Sequence, residues 1–169
     1  SRETLRQALR DAGVEWWDDP HNDDDRFARS RVRTKVLPLL EQELGPGVAD
    51  SLTRTASLFR QDSEALDGFA QACISEHVDA ETVGQRSVGV EILLEHSSAI
   101  SSRVLRSMVI AVGGGPPSFA QMNQIHGLLT QWRGQSAIDL SGATLERVEG
   151  RIVVKARTPK AVKGIRRGL

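Results

Sequence analysis

Apolar residues recur at intervals of three and four through the first half of the chain, then alternate, then return to the longer interval. Leu5, Ala8, Leu9 and Ala12 mark one face of a helix over 3–12, and Gly13 is its stop. Trp16 and Trp17 lead into an acidic loop in which Asp19-Pro20 cannot be helical. A helix is predicted to resume near Phe27, carrying Val32, Val36, Leu37, Leu39 and Leu40, with a break or kink at Pro38. Gly45-Pro46-Gly47 is a boundary. Beyond it Val48, Leu52, Ala56, Phe59, Leu66, Phe69, Ala70, Cys73, Ile74 and Val78 form the longest stripe, interrupted only by the weak helix former Gly68. A helix of about 30 residues spans about 45 Å, long for a compact domain and suited to a connector.

The pattern then changes. Val88, Val90 and Ile92 alternate with Ser87, Gly89 and Glu91, which predicts a strand over 85–94. Residues 97–112 read as a helix with Ile100, Val104, Leu105, Met108 and Val109 on one face. Ser118 reads as the N-cap of another helix through Trp132, using Phe119, Met122, Ile125, Leu128 and Leu129. Short β-rich segments follow at 137–140, 144–148 and 151–155, with Glu149-Gly150 as a tight hairpin turn. The predicted class is α+β, mainly α: a helical segment, a long linker helix, and a small α/β domain with a short sheet. The corresponding parts are 1–44, 45–80 and 81–169.

Composition narrows the picture. At 169 residues the chain forms one domain or two small ones, and zero formal net charge removes the overall basic signature of a generic nucleic-acid binder. Charge is unevenly placed: 15–25 is acidic, and from Arg151 onward there are seven cations and no acid. A solvated flexible end is the favoured reading of that tail, phosphate contact the other. One cysteine, Cys73, cannot form an internal disulfide, and it falls in an apolar helical stretch as a core residue. There is no signal-peptide pattern and no apolar run of about 20 residues, so a cytoplasmic, non-membrane protein is expected.

Candidate chemistry is sparse. Numbered from Asp19, the acidic loop fails the calcium-loop pattern, because Asp24 stands where Gly is needed and Ser30 where Glu belongs. A simple magnesium contact stays open beside the favoured reading of a solvated, N-capping turn. His21, His77, His96 and His126 lack metal-ligand spacing, so no metal site is expected. Gly113-Gly114-Gly115 follows a helix and precedes no Lys-Ser or Lys-Thr pair, so it reads as a helix-to-helix turn. No Gly-x-Ser-x-Gly elbow occurs. Trp16 and Trp17 read as packing residues before stacking platforms. Arg29 and Arg33, four apart, share a helix face and suit a phosphate-bearing partner. Pairing of Asn22, Arg29, Arg31 and Arg33 with Asp23 to Asp25 on a solvated face is the equal alternative.

The run Trp17-x-Asp19-x-x-Asn22, then Phe27, Arg29, Arg33 and Leu37-Pro38, resembles the segment closing the N-terminal PP-loop domain of the tRNA(Ile)-lysidine synthases. His21 and Ser30 stand where that family usually has Ser and Asn. The order of parts is similar too, in a short, actinobacterial-like form. The resemblance implies an ATP-dependent ligase that attaches L-lysine to C2 of the wobble cytidine of precursor tRNA(Ile) with a CAU anticodon. ATP adenylates the C2 oxygen, the lysine amine attacks C2, and AMP leaves. It further implies that 1–44 ends the catalytic domain, that 45–80 is a linker, and that 81–169 recognises tRNA.

The family's ATP loop, Ser-Gly-Gly-x-Asp-Ser, does not occur in this sequence. The chain is therefore expected to be a C-terminal piece that is inactive alone and binds neither ATP nor Mg2+ itself. Asn22, Arg29 and Arg33 are then expected at tRNA or ATP phosphates, with Arg33 as a catalytic residue. On charge alone, Arg103, Arg106, Arg133, Lys155 and Arg157 are candidates for the tRNA surface. The alternatives are a non-catalytic helical module that forms homodimers and, ranked last, a metal-dependent hydrolase using Asp18 to Asp25.

Overall fold

The computed structural model describes residues 2–17, 24–80 and 82–157. The chain divides into two units, Ser1–Phe59 and Arg60–Leu169, the division falling inside one long helix.

The first unit contains helix α1 (Arg2–Asp11), a four-residue helix α2 (Ala28–Arg31), a π-helical turn (Val32–Val36), α3 (Leu37–Leu44) and the start of α4 (Val48–His77). Helix α1 stops at Gly13, whose φ of 66° lets its N–H reach the Arg10 carbonyl while Val14 bonds back to Leu9. Pro38 does not end the second helical run. It stands in the first turn of α3, directly after the π turn. A proline removes one donor and crowds the carbonyl four residues back, and the i→i+5 register lets the ladder pass it. Glu41 of α3 turns its carboxylate onto the start of α4, accepting from the N–H groups of Gly47 (2.7 Å) and Ala49 (2.8 Å). That satisfies helix-start donors and places negative charge at the positive end of the dipole. Among the described residues of this unit only Ser30 is buried. Trp17, read above as a packing residue, is 78% exposed. No described residue of this unit other than Ser30 is buried, so its described part offers the indole no core.

The second unit carries the remainder of α4, then β1 (Gln85–Gly89), α5 (Val90–Glu95), α6 (Ser98–Ala111), α7 (Phe119–Thr130), β2 (Ile138–Leu140), β3 (Ala143–Val148) and β4 (Arg151–Ala156). The mainly α, α+β class holds. The sheet is antiparallel, in the order β1-β4-β3-β2. Val88 pairs with Ile152 and Leu145 with Val154, so the buried residues of three strands lie on one face. Val104, Leu105, Met108 and Val109 of α6 and Ile125, Leu128 and Leu129 of α7 complete that core. Ala70 and Cys73 bring α4 into the same cluster. Burial, reinforced by the Glu76 charge, pushes the Cys73 thiol above its usual pKa, which suits a packing residue.

Two sequence expectations need correction here. The strand predicted over 85–94 ends at Gly89, and Val90–Glu95 is helical. Gly89 lies extended, and the first helical N–H, that of Val90, donates to the Gly150 carbonyl of the β3–β4 turn. Gly89 is already opposite Arg151, the first residue of β4, so beyond Val90 the neighbouring strand offers no further backbone to pair with. Phe119, predicted to face the core from α7, is 83% exposed. It fits the helical spacing but precedes Met122, the first residue of α7 that the core reaches.

Other local readings hold. Ser118 caps α7 reciprocally with Gln121. Glu149 and Gly150, both at positive φ, join Val148 to Arg151 in a two-residue turn. The glycine run is a helix-to-helix turn, and the reason for glycine at 114 is close packing. A Cβ there would come within 2.7 Å of Val109 Cγ1, 2.8 Å of the Val109 carbonyl oxygen and 3.0 Å of Ala143 Cβ. The carbonyl cannot yield without disturbing the end of α6. Gly114→Ala is expected to destabilise by about 1–3 kcal/mol, read as a lowered melting temperature. An unchanged melt would remove the packing role.

Candidate nucleic-acid interface

The arginine-bearing turn is built by its own polar contacts. Asp24 accepts a forked pair of bonds from the Arg26 guanidinium, 2.9 Å at Nε and 2.7 Å at Nη2, which raises the Arg26 pKa. Lys35 engages the Asp25 carboxylate. Arg31 folds back to donate to the carbonyls of Asp25 (2.7 Å) and Arg26 (3.0 Å), fastening the loop to the helix that follows. These contacts take up cations other than Arg29, which is exposed and has no hydrogen bond or ion pair among the described residues. Arg33 is exposed as well, inside the π turn. In an α-helix residue i+4 lies slightly past one full turn, whereas in a π register it falls slightly short. Arg29 and Arg33 stand on either side of the junction between the two, in α2 and in the π turn. Asn22 lies outside the described residues, as does most of the acidic stretch. Among the described residues no three or more His, Cys, Asp or Glu converge.

The five cations proposed on charge alone fall on α6, the turn after α7, β4 and the residue following β4. Arg103 is tied to α4, donating to Asp67 (2.7 Å) and Ser63 (3.3 Å), and it also bonds the Ala99 carbonyl (3.0 Å). Lys155 reaches Glu146 across the sheet at 2.7 Å, and Arg157 stands 3.6 Å from Asp139. Arg106 and Arg133 are exposed and make no side-chain hydrogen bond or ion pair among the described residues.

The sequence reading missed a groove of about 490 Å³ between α6 and α7, lined by Ser102, Arg106, Phe119, Met122, Asn123 and His126. Ser102 Oγ of α6 and His126 Nε2 of α7 are 2.8 Å apart in its wall. The signal was present: Ser102 and Arg106 are four apart, and so are Phe119 and Asn123. Such pairs share a helix face, but that two such faces meet is a tertiary fact.

Residues 90–153 match a family model described as the TilS substrate binding domain. A tRNA(Ile)-lysidine synthase of Leifsonia xyli subsp. xyli is 40% identical over 93% of this chain and 47% of its own length. That of Thermobifida fusca is 39% identical over 92% and 48%, and that of Mycobacterium tuberculosis H37Rv 38% over 85% and 44%. The chain spans about half the length of the curated relatives it matches. With a domain-level match in its second unit and this identity along nearly all of its residues, the chain belongs to the tRNA(Ile)-lysidine synthase family.

Proposed function

We propose that this chain is the C-terminal half of a tRNA(Ile)-lysidine synthase and serves it by binding tRNA and by presenting arginines to the reaction centre. In this reading 1–44 closes the PP-loop catalytic domain, 45–80 links, and 81–169 recognises tRNA(Ile) bearing a CAU anticodon. The whole cytoplasmic enzyme joins L-lysine to C2 of the wobble cytidine through an adenylated intermediate. ATP, with Mg2+, activates the C2 oxygen in that reaction. The Ser-Gly-Gly-x-Asp-Ser loop that would hold ATP does not occur in these 169 residues, and Asp24 and Asp25 are engaged by Arg26 and Lys35. What this chain's residues supply is therefore phosphate contact, by Arg29, Arg33 and Asn22, and orientation of the RNA. The observation that carries the reading is the arginine turn. Arg26 holds Asp24 and Lys35 holds Asp25, and Arg29, exposed and without a hydrogen bond or ion pair among the described residues, is available to a polyanion.

The expected result is that the chain retains a tRNA(Ile) transcript on a filter at low salt. Its affinity should fall linearly on a log–log plot of salt, with a slope of roughly −0.7 to −0.9 per phosphate neutralised. Absence of retention at low salt would sink the reading. A second reading, self-association, rests on the exposed Leu52, Leu58 and Phe59 of α4. A tight dimer on a sizing column, without tRNA retention, would favour it.

A further inference from the structure

The groove between α6 and α7 has a composition that charge alone does not explain. Phe119 is 83% exposed, yet its backbone is fixed by the Ser118–Gln121 capping box. A large aromatic is thus presented to solvent from a rigid position. Asn123, one turn further along, is exposed and has no hydrogen-bond partner among the described residues. Its amide carries both donors and an acceptor, as a base edge requires. Across the groove, Arg106 is exposed and unpaired among the described residues. Ser102 and His126 bond to each other on the wall between. No carboxylate is among the lining residues, so the only formal charge there is positive.

We propose that this groove receives one unpaired nucleotide of the RNA substrate, with Phe119 stacking on the base, Asn123 bonding its edge and Arg106 meeting its phosphate. The inference rests on the reading that the chain binds tRNA, and it adds a base-contacting site to a domain otherwise assigned only general substrate binding. A ring face is of no use against a continuous A-form helix, whose bases are stacked and whose deep groove side chains cannot read. It is what a splayed, single-stranded base needs. The volume, about 490 Å³, falls in the range of roughly 300–1,000 Å³ in which small-ligand sites lie.

The test is fluorescence anisotropy of the full 169-residue chain with a labelled tRNA(Ile) transcript carrying the CAU anticodon. Phe119→Ala should weaken binding about tenfold and leave the salt slope unchanged, because stacking releases no counterions. Phe119→Trp should bind as the wild type does. Arg106→Ala should flatten the slope by about one phosphate's worth, roughly 0.7–0.9. Phe119→Ala should melt with the wild type, since the ring is exposed; a clearly lower melt would place Phe119 in the fold and overturn the proposal. Unchanged affinity in Phe119→Ala, or full affinity in Phe119→Leu, would overturn it too, the second because an aliphatic chain packs but does not stack. If the wild-type chain binds tRNA and the variants bind equally well, only the groove assignment fails. If the wild-type chain does not bind, the underlying reading fails and takes the groove with it.

Discussion

Arg33→Ala, placed in the whole lysidine synthase, is expected to lower lysidine formation about a hundredfold or more while leaving the melting temperature close to that of the parent. The two halves of that expectation have separate grounds. Arg33 is exposed on the π turn, outside any buried cluster, so truncation removes no core packing. The catalytic half follows from the resemblance, in which the second of two arginines four apart meets the phosphates of the reaction. A guanidinium there offers a planar fork of donors to developing negative charge, and deleting one such pre-positioned donor typically costs two to three orders of magnitude. Arg33→Lys should recover only part of the loss, because a point charge keeps the attraction but not the two-pronged geometry. Near-normal turnover in Arg33→Ala would remove Arg33 from the reaction. A collapse of the melting temperature would instead mark it as a structural residue.

Leu105→Ala should have the largest effect on stability, about 2–5 kcal/mol. Leu105 is fully buried in α6, within the cluster that the sheet, α7 and the end of α4 share. Removing its branched end loses transfer free energy and leaves a cavity that elements packed from several sides cannot close. Against a total stability of roughly 5–15 kcal/mol, that is enough to lower the melting temperature by about 10 °C or more. Leu94→Ala is the control. Leu94 stands on the solvent side of α5, half exposed, and its loss should cost no more than about 0.5 kcal/mol. Equal melts for Leu105→Ala and the wild type would mean that this core does not hold the second unit together.

Much of the architecture was legible because local signals and burial agree. In α6 the spacing of Val104, Leu105, Met108 and Val109 is the helix period, and all four are buried. Ser118 is a good cap whose reciprocal partner, Gln121, lies three residues on. Glu149-Gly150 accepts the positive φ values that a two-residue hairpin requires. Where signals were ambiguous, the reading went wrong. Val88, Val90 and Ile92 alternate as a strand would, but Val90 and Leu93 are also three apart, as a helix face would be. The start of β4 at Arg151, opposite Gly89 and more than 50 residues away in sequence, leaves no strand for 91–94 to pair with and decides between them. Phe119 fits the period of α7, yet period says nothing about how far along a helix its partners extend.

What the sequence by itself determined is the order of elements, the pair of arginines four apart and the resemblance that gave them a meaning. All of these depend on residues close together in the chain. The tertiary structure decided which cations are engaged: Arg103 is held by Asp67 of α4 and Lys155 by Glu146, while Arg106 lines a groove. It also brought Ser102 to His126, 24 positions further along. Partnerships of this kind depend on how helices and strands are juxtaposed, and no short-range spacing encodes that.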